Sequence, residues 1–304
     1  MRTAFVAGAN GAIGRHVVAE LMRRGWRVGG LGHGPVGWPS GMIDEWIPGP
    51  IDMHGLNTLS TKLGAPDLIV NVAGGASVGA SVSDPVNDLG RTLPAATALL
   101  TWGQQYAPQA RQVHASSAAV YGNRHSGTIW ETAHPTPVSP YGLHKHLLEQ
   151  VACYWAEQAG LSVALVRLFS VYGPGLRKQL VHDLTQQLVS RPNRIILSGR
   201  DDAARDWIWI EDAARLLVDA GDWATTTAPV FNGCTGVATT VRRMAESLVR
   251  ALGCDTLVEF DGEVRPGDPH SLVGSAIRLQ KAGYFHQVSL DEGLARFAVV
   301  GATA

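Results

Sequence analysis

Cysteine is scarce in this 304-residue chain: Cys153, Cys234 and Cys254 are the only three, and they lack metal-ligand spacing. A disulfide-stapled scaffold is therefore excluded, and free thiols in a reducing compartment are expected, with the cytoplasm as the default. A surplus of either charge is also missing. The 25 Lys and Arg stand against 26 Asp and Glu, a formal net charge of −1, so there is no general electrostatic reason to bind nucleic acid or an anionic membrane surface. Any phosphate affinity has to be local. No stretch reaches the roughly 18 uninterrupted apolar residues of a membrane-spanning helix. Met1-Arg2 runs at once into a strand, which leaves no room for a secretory signal. Internal repeats and low-complexity tracts are absent. The histidines make no zinc constellation either: His144 and His146 are two apart on one helix and do not share a face, and His125, His134 and His182 add no pattern, so no metal is expected.

What the chain does have is apolar content of 45%, enough to bury several strands, with strand and helix signals alternating from the first residues. Thr3 to Ala7 reads as a short apolar strand. Gly11 to Arg24 then places Ile13, Val17, Val18, Leu21 and Met22 near helical spacing before Gly25 stops it. Trp26 to Leu31, Leu68 to Val72, Gln112 to Ala115 and Val163 to Phe169 read as further strands, with helical segments between most of them. Gly-Pro-rich segments from Gly32 to Pro50 and from Tyr172 to Gly175 interrupt the alternation. The second marks where the chain leaves its core. Beyond it, a mixed set of short helices and strands forms a smaller lobe.

Between the first strand and the first helix lies Gly8-Ala9-Asn10-Gly11-Ala12-Ile13-Gly14. In such a unit Gly8 permits the tight turn, Gly11 lets backbone approach a dinucleotide pyrophosphate, and Gly14 lets the helix pack closely on the strand. The helix start offers N–H groups to the phosphates. Gly8, Asn10, Gly11, Ile13 and Gly14 are thus candidate cofactor residues. The fold class expected is α/β, a Rossmann-like parallel sheet with helices on both faces and a smaller mixed C-terminal substrate lobe. Residues 1–172 are mainly the NAD(P)-binding domain, and 173–304 mainly the lobe, with some segments returning to the core.

At the end of the second strand an NAD site presents an Asp or Glu to the adenosine ribose. The segment here, Gly30-Leu31-Gly32-His33-Gly34, has none. Loss of the acid removes repulsion toward a 2′-phosphate, and His33 is a candidate donor to it, although no Arg stands at this point. NADP(H) is accordingly favoured over NAD(H). Asp52, after Pro50-Ile51, is a candidate for the adenine, with an ordinary loop carboxylate as its competitor.

Pro140-Tyr141-Gly142-Leu143-His144-Lys145 continues into Leu147, Leu148 and Val151, which puts Tyr141 and Lys145 one helical turn apart on the same face. An ammonium beside a phenol favours the phenolate and can hold a nicotinamide ribose. Ser117, at the end of a strand, can hydrogen-bond a substrate alcohol or ketone. Ser117, Tyr141 and Lys145 are the candidate catalytic residues for reversible alcohol oxidation, with the cofactor carrying the hydride.

Together these motifs resemble the extended short-chain dehydrogenase/reductase family, in particular its nucleotide-sugar epimerases, dehydratases and ketoreductases. Asp67 to Gly74 looks like the family's fourth strand beside the cofactor, which adds Ala73, and Ser77-Val78-Gly79 and Asp84-Pro85 follow it. His114 to Gly122 is similar to the family strand and loop with the catalytic hydroxyl, and picks Ser117. Dehydratases place Asp-Glu immediately after that hydroxyl residue. Here Ala118-Ala119 stands instead, which argues against sugar 4,6-dehydration.

Arg167 to Gly175 looks like the segment joining the two parts, with Ser170 where the family usually has Asn; near Thr92 a family Asn is likewise missing. Gly199 to Asp212 and Arg265-Pro266-Gly267-Asp268 resemble the turns whose arginines reach a nucleotide diphosphate. The resemblance thus implies Ser77, Ser170, Arg205 and Arg265 as substrate residues, with Asp206 and Asp268 shaping turns. Trp207 and Trp209 are expected to pack in the core. The implied partner is a nucleotide-diphosphate sugar. A homodimer is implied through the helix of Tyr141, by way of Leu147, Leu148, Val151 and Trp155.

On these grounds the leading expectation is reduction of an NDP-4-keto-6-deoxyhexose at C4, with hydride from NADPH and a proton from Tyr141. The alternative is an NDP-sugar 4-epimerase with tightly bound NAD and a transient 4-keto sugar. A non-enzymatic NADP-binding protein is a third, less favoured because Ser117, Tyr141 and Lys145 are all present.

Overall fold

The structure is a computed structural model describing residues 1–34, 41–75, 77–177, 179–263 and 269–301. The first half runs β1 (Thr3–Ala7), α1 (Ala12–Arg23), β2 (Arg27–Gly32), β3 (Glu45–Pro48), α2 (Met53–Leu63), β4 (Leu68–Asn71), α3 (Val78–Ser83), α4 (Pro85–Tyr106), β5 (Arg111–Ser117), β6 (Thr128–Ile129), α5 (Pro140–Ala159), β7 (Val163–Leu168) and β8 (Ser170–Tyr172). The second runs α6 (Gln179–Leu188), β9 (Arg194–Leu197), β10 (Ala204–Trp209), α7 (Ile210–Asp219), β11 (Val230–Gly233), β12 (Ala238–Thr240), α8 (Val241–Ala251), β13 (Leu257–Phe260), β14 (Ser271–Gly274), α9 (Ile277–Lys281) and α10 (Leu290–Gly301).

Seven strands form one sheet in the order β11-β7-β5-β4-β1-β2-β3, and every pairing in it is parallel. A parallel sheet needs cover on both faces, and its central strands are correspondingly apolar on both sides. All five residues of β1 and all six of β7 are buried. On one face α1 packs against α7 over Val17, Val18, Leu21, Leu216 and Leu217. On the other, α2 and α4 bring Leu56, Leu59, Leu99 and Trp102 onto Phe5, Leu31 and Ile69. Full burial of a Leu, Ile or Phe side chain contributes roughly 1.5–3 kcal/mol, so this layer fixes where the strand ends lie.

The second sheet has the order β12-β10-β14-β6, with β8 also paired to β10. Both sheets draw on both halves of the chain: β11 closes the edge of the large sheet, and β6 pairs with β14 in the small one. β13 and β9 make a separate parallel pair. Among the described residues no helix is long and apolar enough to cross a membrane.

Candidate active site

At the carboxyl ends of the parallel strands opens a cleft of about 1140 Å³. Gly8, Asn10, Gly11, Ile13, Gly14, His33, Ala73, Ser77, Ser117, Tyr141, Lys145, Ser170 and Arg205 all line it. A dinucleotide fits its first wall for steric reasons. Gly8 has a φ of +81°, and a Cβ there would lie 2.8 Å from the Ala73 nitrogen. A Cβ on Gly14 would lie 2.1 Å from the Gly8 carbonyl oxygen, so only glycine lets α1 start this close to β1. The first turn of α1 thereby points free N–H groups into the cleft, the ready-made seat for a pyrophosphate. Arg15 ties the loop down, its Nε donating to the Asn10 carbonyl at 3.1 Å.

The opposite wall holds Ser117, Tyr141 and Lys145. Pro140 opens α5, and the Ser139 hydroxyl caps it by accepting from the Gly142 nitrogen at 3.1 Å. The Tyr141 nitrogen donates to the Ser81 hydroxyl at 3.0 Å, which pins the first turn to α3. Lys145, one turn on, has its Nζ 6.0 Å from the Tyr141 ring centroid and donates to the Ala115 carbonyl at 3.0 Å. Ser117 ends β5. Its Oγ accepts from the Ala119 nitrogen at 3.2 Å, and its hydroxyl also hydrogen-bonds the Tyr141 phenol, so the two face the same point of the cleft.

Burial dominates the electrostatics. It pushes the Tyr141 phenol above its ordinary pKa, a rise opposed by the Ser117 hydroxyl and reinforced by the Asp88 carboxylate. It pushes Lys145 down to about 8, while Asp88 and Glu149 pull the other way. Beneath them, burial and the Lys145 charge push His114 down to about 3. A neutral His114 fits its contacts, accepting at Nδ1 from Asn71 Nδ2 at 3.1 Å and donating from Nε2 to Gln112 Oε1 at 3.2 Å. Behind Lys145, Glu149 takes two hydrogen bonds of 2.8 Å from Arg167 and one of 2.6 Å from Ser116.

Comparison with known proteins agrees with this architecture. The model of the NAD dependent epimerase/dehydratase family matches residues 4–232. The chain belongs to that family. It is similar to a UDP-glucose 4-epimerase of Thermus thermophilus solved with NAD, at 25% identity and a TM-score of 0.89, over 99% of each chain. It is also similar to MoeE5 solved with UDP-glucose and NAD, at 28% identity and a TM-score of 0.86, over 99% of this chain and 98% of that one. A UDP-glucose 4-epimerase of Thermotoga maritima shares the fold at 24% identity and a TM-score of 0.88, over 99% of each chain. Membership of this family, with a full-length likeness to these structures, makes the protein an enzyme.

These relatives overturn the expected preference for NADP, because the solved members at 25% and 28% identity hold NAD. The physical error lies in the β2 end. Losing an acid removes a repulsion but supplies no cation, and Val28 to Thr61 contains neither Lys nor Arg to pair a 2′-phosphate. His33 borders the cleft, but the contact the structure gives it is through its carbonyl, which accepts from Asn10 Nδ2 at 3.1 Å.

Other expected positions divide. Asp52 is not among the cleft-lining residues; it caps α2, accepting from the Gly55 nitrogen at 2.8 Å, and Pro50 and Ile51 line the cleft in its place. Ser77 lines the cleft and also caps α3, accepting from the Ala80 nitrogen at 3.2 Å. Arg205 reaches the cleft with its Nη1 donating to the Ala204 carbonyl at 2.9 Å. Arg265 and Asp268 lie outside the described residues. Asp206 shapes a turn, taking Thr235 and Gly236 nitrogens at 2.7 and 2.9 Å. Trp207 and Trp209 are both buried, and Trp207 also borders the cleft. Thr92 accepts from the Gly75 nitrogen at 3.0 Å and so holds the loop that carries Ala73. Leu148 is wholly buried in the chain's own core, with Val151 and Trp155 packed on the same cluster, so these three face inward.

Cleft residues that sequence reasoning missed are Arg91 on α4 and Arg177 and Asp183 beside α6 and within it. Arg91 follows Gly90 and precedes Pro94 and Ala95, all facing the same space. No local motif flags it; only its place on α4 opposite the glycine loop does.

Proposed function

We propose that the protein is an NAD-dependent 4-epimerase of nucleotide-diphosphate hexoses, with UDP-linked hexoses or hexuronates as the substrate class. The observation that carries this reading is the meeting of Ser117, Tyr141 and Lys145 with the glycine cradle in one cleft. Its support among relatives is the UDP-sugar and NAD bound to MoeE5 and the NAD bound to the Thermus epimerase. The reductase reading leaned on NADP and loses that support. When bound, NAD supplies a reversible hydride acceptor at the sugar C4.

The residues of this chain then manage one proton. The Tyr141 oxygen takes it from the sugar O4 hydroxyl and later returns it. Ser117 donates to O4 throughout and stabilises the carbonyl stage. Burial alone keeps the phenol protonated, so the reaction needs positive charge close by, which Lys145 brings while its Nζ also holds the ribose. Epimerisation further requires the keto sugar to turn over between the two hydride steps. Gly79, Ala118 and Ala119 border the space beside Ser117 with little or no side chain and leave room for that turn.

The same proposal includes a homodimer through α4 and α5, whose outer faces expose Val86, Leu89, Leu143 and Tyr154. Light scattering at twice the chain mass is the expected result.

The test is to incubate purified protein with UDP-glucose and, separately, UDP-glucuronate, following absorbance at 340 nm and C4 configuration by NMR. Inversion at C4 with no net change at 340 nm is expected. Stoichiometric formation of NADH, or turnover only when NADPH and a 4-keto sugar are supplied, would replace the epimerase reading.

A further inference from the structure

Behind the Tyr141–Lys145 face lies a buried pair that the proton chemistry above does not use. Asp88 on α4 and His144 on α5 meet at 2.6 Å between Oδ2 and Nδ1, at 5% and 7% exposure. A Cβ on Gly75 would lie 1.8 Å from Asp88 Oδ1, so the carboxylate is pressed between that backbone and the imidazole. Such a group is fixed in direction on both sides.

Lys145, the next residue after His144, has the opposite problem. It is 4% exposed and its hydrogen bond goes to a neutral carbonyl, that of Ala115. A buried ammonium without a counter-charge gives up its proton. Lys145 and Asp88 both press on the Gly74-Gly75 backbone: a Cβ on Gly74 would lie 3.4 Å from Lys145 Nζ, and one on Gly75 1.8 Å from Asp88 Oδ1. Two acids act on Lys145, this Asp88 and Glu149. Glu149 is already matched, because both its oxygens hold Arg167 from β7. His114, on β5, is neutral. Asn71 on β4 carries no charge, and α3 holds no titratable side chain. On α5 itself, Tyr141 is a neutral phenol at rest and His146 stands 3.5 Å from Glu149. Asp88 is the anion left over.

We infer that Asp88, oriented by its 2.6 Å hydrogen bond to His144 Nδ1, is the buried counter-charge that keeps Lys145 an ammonium, which makes both of them positioning residues for the Tyr141–Lys145 pair. The buried charges then close as Lys145 with Asp88 and Arg167 with Glu149.

This inference deepens the role given to Lys145 above, and its test reads Lys145 directly, so it stands or falls whether or not any sugar is turned over. The chain has only four lysines, Lys62, Lys145, Lys178 and Lys281. Protein labelled with 13C at lysine Cε therefore gives four signals, and Lys145→Arg identifies the one of interest. In Asp88→Asn the Lys145 titration midpoint should fall by about one pH unit or more, with the Lys62 and Lys281 signals unmoved. The alkaline limb of kcat/KM should fall by the same interval, about tenfold at a fixed pH on that limb, with recovery toward lower pH. His144→Gln keeps an N–H donor for Asp88 and should leave the midpoint in place.

An unchanged midpoint in folded Asp88→Asn overturns the inference. A drop in His144→Gln as large as in Asp88→Asn overturns the role given to His144 as the group that orients Asp88. Should Asp88→Asn not fold, the wild-type chain decides, because a Lys145 midpoint in the range of about 5–6 is that of a buried lysine with no counter-charge and overturns the inference as well.

Discussion

Gly142 lies so close to Ala119 that a Cβ on it would stand 2.5 Å from the Ala119 carbonyl oxygen. One missing methyl group thus sets the spacing between the helix that carries Tyr141 and the turn that follows Ser117. In Gly142→Ala the two must part, at a cost of about 1–3 kcal/mol for overpacking. The expected outcome is a lower Tm and a fall in kcat of ~10²-fold, because a displacement near 1 Å spoils the alignment of Tyr141 and Ser117. Wild-type turnover in this variant would show that the contact does not set the geometry.

In the proposed mechanism Tyr141→Phe removes the group that takes and returns the proton while keeping the ring. kcat should fall by ~10²–10⁴-fold with NAD binding retained, as measured by quenching of tryptophan fluorescence. Ser117→Ala removes a single donor to O4 and should cost about 10²-fold in kcat. If Ser117→Ala were the more severe of the two, the assignment of the proton to Tyr141 would be wrong.

Thr92→Val keeps the shape of a buried side chain but deletes the acceptor of the Gly75 N–H. A fully buried donor left without a partner costs about 1–3 kcal/mol, and the part-buried Gly75 N–H should cost toward the lower end of that range. The loop it anchors carries Ala73 and Gly74 against the cleft, so weaker NAD binding should accompany the loss of stability. Urea unfolding and an NAD titration on the same preparation test both parts, and a change in neither would count against the anchoring role.

How far the chain could be read without coordinates depended on whether a residue's partner was local. The glycine loop was legible because the left-handed φ of Gly8 and the contact of Gly14 with the Gly8 carbonyl are both local to seven residues, and the Tyr141–Lys145 pair because one helical turn brings them together. β3 was missed: its four residues lie in a Gly-Pro-rich stretch and become a strand only by pairing with β2, Gly29 opposite Glu45. Asp52 stayed open between two readings because a carboxylate just before a helix looks the same whether it caps that helix or meets a ligand; the cap is the contact the structure shows. Asp88 and His144 stand 56 positions apart and meet only through the packing of α4 on α5, which no local pattern announces. The cofactor went wrong for a different reason: the absence of an acid was read as a preference for phosphate with no cation to supply it.

His114 makes the fold acid-sensitive in a calculable direction. It is wholly buried beneath Lys145, and burial, with the lysine charge, pushes its pKa from 6.5 down to about 3. The unfolded chain binds a proton at this residue below about 6.5, whereas the folded chain refuses it until about 3. The stability contributed by the neutral imidazole is therefore fully present above pH 6.5 and lost progressively as pH falls toward 3, at about 1.4 kcal/mol per unit. At pH 4.5 the loss from this residue should be roughly 2–3 kcal/mol. His114→Gln cannot titrate, so its urea midpoint should fall less steeply than the wild type's between pH 6.5 and 4.5, even if it starts lower at pH 7 because the bonds to Asn71 and Gln112 are altered. It is the slope, and not the starting point, that carries the test. Equal slopes in the two proteins would mean that His114 takes up its proton as readily in the folded core as in the unfolded chain, and the neutral imidazole under Lys145 would have to be given up.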